Sequence, residues 1–253
     1  MSEVVLKVEN VSKKFCRTIK QIMRYGSADV VKGFLGLKTN TTTLRAGEFW
    51  ALDNVSLELK KGETLGIVGS NGSGKSTLLK LLNGIYMPDR GRIEIKGDMG
   101  ALIEVGAGFS YLLTGRENVY VNGTILGLSK EQIDKKFDTI VAFAELEEFI
   151  DVPLRNYSSG MSVRLGFSVA VHCEVDILLM DEILAVGDAK FKQKCIKKID
   201  ELKASTSTIF VSHDKDQILR ICDRVIILNK GRIMPVKGTP TEVMLAYEDI
   251  LNL

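Results

Sequence analysis

Apolar and polar residues along the chain fall into two alternating rhythms. Val4-Val5-Leu6-Lys7-Val8-Glu9-Asn10-Val11 reads as a strand. Ala51 to Leu59 reads as another, alternating apolar and polar positions before the Lys61-Gly62 turn. Thr64-Leu65-Gly66-Ile67-Val68 is apolar throughout, and beyond a glycine-rich stretch Leu78, Leu79, Leu81 and Leu82 recur at helical spacing. Arg92 to Lys96 predicts a further strand, and Lys130 to Phe143 and Ser162 to Val171 predict helices within a mainly helical section that runs to about Val171. The last third returns to short apolar runs, Ile177 to Met180, Thr208 to Val211 and Val225 to Leu228, separated by helical patterns. Strands alternating with helices imply an α/β fold with a parallel sheet, whose ligands bind at the carboxyl ends of the strands.

The segment from Cys16 to Ala46 breaks this rhythm. It carries Arg17, Lys20, Arg24, Lys32, Lys38 and Arg45 against one acid, Asp29. Ile19, Ile22, Met23, Val30, Val31, Phe34 and Leu35 recur at helical spacing within it, which predicts a basic amphipathic helix or helix pair. Such a segment suits a membrane surface, a partner protein or a solvated face of its own domain.

Composition adds mainly exclusions. The 253 residues are 45% hydrophobic and 26% charged with a net charge of +2, an ordinary globular balance that points to neither a nucleic-acid partner nor a disordered tail. No apolar run approaches the roughly 18 residues of a membrane span, so this chain forms no channel of its own. Cys16, Cys173, Cys195 and Cys222 are scattered without a Cys-x-x-Cys pair, the pattern of reduced intracellular thiols.

The candidate chemistry starts at Gly69-Ser70-Asn71-Gly72-Ser73-Gly74-Lys75-Ser76-Thr77, set between a predicted strand and a predicted helix. Glycines at this spacing let successive backbone amides point inward, and the new helix adds its positive end, so a polyphosphate is the natural occupant. Lys75 would reach the β- and γ-phosphates, and the Ser76 hydroxyl would hold Mg²⁺. Ile177 to Met180 runs into Asp181 and Glu182, two carboxylates at the same end of the sheet. Asp181 suits the metal, and Glu182 suits orienting or deprotonating an attacking water. His213 ends a second apolar strand and would contact the γ-phosphate or that water, whereas His172 lies inside an apolar helical run and reads as structural. Tyr157-Ser158-Ser159-Gly160-Met161 precedes a helix, either as its cap or as a second anion site.

In this order the motifs resemble those of the ATP-binding subunits of ABC transporters, over essentially the whole chain. The resemblance implies a P-loop NTPase (RecA-like) core with a parallel sheet, an N-terminal antiparallel β subdomain and a helical signature subdomain. The expected organisation is a single domain, 1–253, with the helical part at about 110–171, the basic insert at 16–46 and no C-terminal carbohydrate-binding domain. Gly69 to Thr77 then matches the Walker A loop, Asp181 and Glu182 the Walker B pair and His213 the switch histidine. Ser158, Ser159 and Gly160 take the signature position, here Tyr-Ser-Ser-Gly-Met in place of Leu-Ser-Gly-Gly-Gln. Between Gly97 and Phe109 there is no Q-loop glutamine, and Glu104 is the nearest candidate metal ligand. Phe15 fits the adenine-stacking aromatic, with Phe49 and Trp50 as rivals. Gly106-Ala107-Gly108-Phe109, Thr114 to Asn118 and Asp181 to Asp188 look like the subgroup that exports bacterial surface polysaccharides. That resemblance implies ATP and Mg²⁺ as cofactors, a second copy of the chain as partner in an ATP sandwich, and a polytopic membrane permease carrying the polysaccharide. It places the subunit peripherally on the cytoplasmic face of the inner membrane, with no nucleic-acid partner. O-antigen, teichoic acid and capsule are the substrates it suggests; a soluble ABC-type ATPase is the alternative.

Overall fold

The computed structural model describes residues 3–36, 43–102, 108–181 and 189–251. Two sheets share one apolar layer. The first is antiparallel, in the order β2 (Glu48–Lys60), β1 (Val4–Cys16), β4 (Arg90–Ile95). The second runs β5 (Met99–Leu102), β6 (Ile177–Asp181), β7 (Ser207–Val211), β3 (Thr64–Val68), β8 (Arg224–Asn229) and β9 (Arg232–Ile233). From β5 to β8 all its pairs are parallel, and β9 returns antiparallel through a tight hairpin.

The central strands β6, β7 and β3 are almost wholly buried and largely apolar because both of their faces are covered. Alternate residues sort to two cores. Leu65, Ile67, Ile177, Leu179, Ile209 and Val211 face the antiparallel sheet and helix α2 (Lys75–Leu82), where they meet Leu6, Leu52, Leu59 and Leu79. Leu178, Met180, Phe210, Val225 and Ile227 face the other way, against α6 (Ala189–Leu202), α7 (Lys215–Ile221) and α8 (Pro240–Leu251). A third core joins α3 (Gly115–Ile125), α4 (Lys130–Ala144) and α5 (Ser159–Ala170) around Ile133, Ile140 and Leu165. Ion pairs tie this helical layer to the main body: Glu145, at the left-handed end of α4, accepts from Arg164 of α5 and from Lys194 of α6 at 3.2 Å.

β1 and β2 are longer than the apolar alternation predicts. Asn10 and Asn54 take left-handed φ of 51° and 57°, and the β1–β2 register shifts at these points, so the alternation is interrupted while the pairing continues to Cys16 and Glu48. The amphipathic insert forms one helix, α1 (Ile19–Phe34), oriented against expectation for a helix packed on its own domain. Its polar stripe faces inward: Gln21 Nε2 and Tyr25 Oη donate to the Ala46 carbonyl at 3.1 and 3.0 Å, and Arg45 pairs with Asp29 at 2.7 Å. Its apolar residues face out, with Ile19 75%, Met23 71% and Phe34 91% exposed. Among the described residues no helix is long and apolar enough to cross a membrane.

The four cysteines are free, and burial pushes the thiol of Cys173 up to about 11 and those of Cys195 and Cys222 up to about 12. At neutral pH these three are protonated and covered, whereas Cys16 is half-exposed. Iodoacetamide at pH 7.5 is therefore expected to modify Cys16 alone in the folded protein and all four cysteines after unfolding, as read by intact mass and peptide mapping.

Candidate nucleotide site

The parallel ladder decides what meets at its carboxyl edge. Ile67 of β3 pairs with Val211 of β7, and Val211 pairs with Asp181 of β6. With strands spaced about 4.8 Å apart, Asp181 lies roughly 10 Å across the sheet from Ile67. The glycine-rich loop leaves β3 two residues later, and His213 follows β7 by the same distance.

The loop turns back sharply into α2. Gly72 and Gly74 have φ of 78° and 111°, and Gly74 caps the helix with its carbonyl accepting from Leu78 N at 2.9 Å. A Cβ on Gly74 would stand 2.7 Å from the Ala51 carbonyl, so glycine is required there by conformation and by space. The Lys75 ammonium arches over the loop and donates to the carbonyls of Gly69 at 2.7 Å and Ser70 at 3.1 Å. Leu78, Leu79, Leu81 and Leu82 are buried and anchor the helix.

Asn71, Gly72, Gly74 and Lys75 line a cleft of about 600 Å³, together with Phe15, Phe49, Trp50, Ala51, Ser76, Thr77, Asp181 and the Lys230-Gly231 turn. The volume suits a small-molecule ligand, for which roughly 300–1,000 Å³ is usual. Loop amides and a lysine at a helix N-terminus suit a polyphosphate, and the oxygens of Ser76 and Asp181 suit a hard divalent cation such as Mg²⁺. The aromatic end of the cleft suits a base. Phe15 stands opposite Phe49 in the β1–β2 register, with ring centroids 6.4 Å apart, and meets Tyr86 edge-on at 5.5 Å.

The other candidate residues lie elsewhere. Ser158 caps α5, its hydroxyl accepting from Met161 N at 3.2 Å, and Ser158 and Ser159 are exposed. Ser158, Ser159 and Gly160 are not among the residues lining the cleft of the same chain. His213 is also outside that lining, exposed on the turn after β7. This turn is held on both sides: Ser212 Oγ donates to Gln217 Oε1 at 3.3 Å, and Asp214 caps α7 by accepting from Asp216 N and Gln217 N. Glu182, Glu104, Gly106, Ala107 and the Ala185 to Asp188 stretch lie outside the described residues. His172 is half-buried, with Nδ1 2.7 Å from the Ser168 carbonyl and its ring edge-on to Phe143 at 5.4 Å, in keeping with a structural role. Desolvation holds its pKa below the usual imidazole value.

Thr114 to Asn118 has a structural task that its sequence did not disclose. Thr114 and Glu117 form a capping box at the start of α3, Arg116 pairs with Asp151 at 2.7 Å, and the fully buried Asn118 amide binds the carbonyls of Ser110, Leu113 and Thr114. Gly115 leaves room for Tyr157, whose hydroxyl donates to the Phe149 carbonyl at 2.7 Å, and so the segment braces the turn that presents Ser158. The Lys230-Gly231 turn went unnoticed in the sequence because only the β8–β9 hairpin brings it to the loop.

A model of the ABC transporter family matches residues 52–185, spanning the glycine-rich loop, the Ser158 turn and Asp181-Glu182. The chain belongs to the ABC transporter family. Its fold is that of ATP-binding cassettes: the ATP-binding subunit of an ABC transporter superposes with a TM-score of 0.73 at 20% identity, covering 96% of this chain and 93% of that one. A dimeric post-hydrolysis cassette bound to ADP and Pi superposes with a TM-score of 0.72 at 22% identity, covering 93% and 98%. Among curated relatives, the O-antigen export system ATP-binding protein of Klebsiella pneumoniae is 43% identical over 82% of this chain and 85% of its own length. The equivalent protein of Myxococcus xanthus is 47% identical over 80% of this chain but only 46% of its own. The teichoic acids export ATP-binding protein of Levilactobacillus brevis is 42% identical over 94% of this chain and 63% of its own length. The chain thus spans from under half to most of the length of the relatives it matches, and it is an ABC-type ATPase domain.

The Asp214 cap gives a test of how this ABC domain holds His213. Burial alone would raise the Asp214 pKa, but the amide of Gln217 and the Lys192 ammonium at 3.3 Å outweigh it and hold the native value below the usual one. A depressed native pKa contributes stability above the unfolded value of about 3.9, and that stability is lost as pH falls through the native value. Asp214→Ala is expected to cost about 1 kcal/mol at pH 7, as for other helix caps. In urea unfolding the difference from the parent should shrink as pH drops below about 4.

Proposed function

We propose that the chain is the ATP-hydrolysing subunit of an ABC exporter that drives a lipid-linked bacterial surface polysaccharide, of O-antigen type, across the inner membrane from its cytoplasmic face. The observation that carries this is a single cleft lined by Lys75, Ser76 and Asp181 in a chain more than 40% identical to named O-antigen export subunits. Teichoic acid is the second reading, favoured by relatives named for that export that match 94–99% of this chain.

In this reading the amides of Gly69 to Thr77 and the Lys75 ammonium hold the nucleotide phosphates, and Phe15 stacks on the base. Ser76 and Asp181 would hold Mg²⁺, which neutralises phosphate charge. Glu182, next in sequence to Asp181, orients the attacking water and takes its proton, while His213 contacts the γ-phosphate. Glu104 stands as a further metal ligand in place of the Q-loop glutamine. Ser158, Ser159 and Gly160 close the site of a second copy, which accords with the exposure of Ser158 and Ser159 and with all three being outside their own chain's cleft lining. The absence of a membrane-crossing helix among the described residues and the outward apolar face of α1 support a separate polytopic permease as partner.

Glu182→Gln is expected to reduce ATP turnover by more than about 100-fold, the usual weight of a general base, with the ATP Kd unchanged. Unaltered turnover removes Glu182 from the catalytic role. Ser158→Ala is expected to weaken ATP-dependent dimerisation of that trapped variant in analytical ultracentrifugation without changing nucleotide affinity of the monomer. Deleting the gene and identifying the glycan retained inside the cell distinguishes O-antigen from teichoic acid.

A further inference from the structure

The hairpin joining β8 to β9 has only two loop residues, since Asn229 pairs with Arg232 and leaves Lys230 and Gly231 between them. Both have left-handed φ, 47° and 78°. This is the geometry of a tight primed turn, which favours Asn, Asp or Gly at the first position because a longer side chain strains the backbone there. The left-handed residues of the first sheet, Asn10 and Asn54, follow that preference; Lys230 does not.

The hairpin is fastened to the nucleotide loop. Gly231 N donates to the Ser73 carbonyl at 2.8 Å, Asp53 N donates to the Gly231 carbonyl at 2.8 Å, and Arg232 pairs with Asp53 at 2.5 Å. A Cβ at position 231 would stand 2.6 Å from the Ala51 carbonyl, so the turn cannot be displaced without moving β2. Lys230 lines the same cleft as the glycine-rich loop, and Lys75 is the other cation in its lining. Lys75 is held by the carbonyls of Gly69 and Ser70, whereas among the described residues no carboxylate forms an ion pair with Lys230. A strained lysine fixed beside a polyphosphate cradle is explained if its charge is used there.

We propose, resting on the ATPase reading above, that Lys230 is a second nucleotide-binding cation that contacts the phosphates of bound ATP from the side opposite the start of the loop. Asparagine and glycine both suit the turn, so Lys230→Asn and Lys230→Gly remove the charge without removing the fold. Both variants are expected to unfold thermally at or above the parent's Tm and to bind ATP and ADP about tenfold more weakly by isothermal titration calorimetry, the usual weight of one charge-assisted contact. Lys230→Arg is expected to stay within about threefold of the parent, and the parent's advantage over Lys230→Asn should narrow as salt rises. Parent-like affinity in Lys230→Asn and Lys230→Gly, alongside lost binding in Lys75→Ala, overturns this proposal alone. Equal loss for adenosine and ATP overturns the assignment to phosphate. A parent that fails to bind ATP, or a Lys75→Ala variant that binds it normally, overturns the ATPase reading and this proposal with it.

Discussion

The parallel pairing of β3, β7 and β6 is the constraint from which the site follows. Hydrogen bonds across Ile67, Val211 and Asp181 leave these strands no freedom to slide, because a one-residue slip would turn Leu179 and Ile209 out of one core and Leu178 and Phe210 out of the other. Burial on both faces thus sets the register, and the register sets which polar residues emerge together at the carboxyl edge. The glycine-rich loop, Asp181 and the His213 turn occupy neighbouring strand ends for that reason.

A second tier of contacts holds the loop in shape. Glycine at 74 and 231 lets three backbone segments approach closely: the loop, the end of β2 and the β8–β9 turn. Their hydrogen bonds join Ser73 to Gly231 and Gly231 to Asp53, so the antiparallel sheet that brings Phe15 and Trp50 is coupled to the loop that brings Lys75. The aromatic end and the lysine-bearing end of the cleft belong to different sheets, and this seam joins them in one cleft.

The helical layer and the insert look away from that seam. The third core adjoins the body, where Phe167 and Ala170 of α5 enter the core under α6, Phe143 of α4 meets Phe191 edge-on at 5.9 Å, and the Glu145, Arg164 and Lys194 cluster adds ion pairs. It carries Ser158 on the exposed end of α5, braced by Tyr157 and Gly115. The α1 helix inverts the usual arrangement, turning the half-buried Gln21, Tyr25 and Asp29 inward and exposing Met23 and Phe34. Both features leave surfaces that a single copy does not use.

Much of the fold was legible in the sequence. The apolar runs marked the central strands, and the order of the motifs carried the ABC family before any coordinates. Local spacing suffices there because glycine conformation, strand alternation and helix caps act over a few residues. What the tertiary structure alone decided lies at longer range. The bulges at Asn10 and Asn54 hid the true length of β1 and β2, since an interrupted alternation looks like a strand end. The outward face of α1 depended on which stripe found partners near Ala46 and Arg45, a choice that periodicity cannot make. Lys230 is 155 residues from Lys75 in sequence, and only the pairing of β8 with β3 and the bond from Gly231 to Ser73 bring the two lysines to one cleft. Nothing local to Asn229-Lys230-Gly231 records that neighbour.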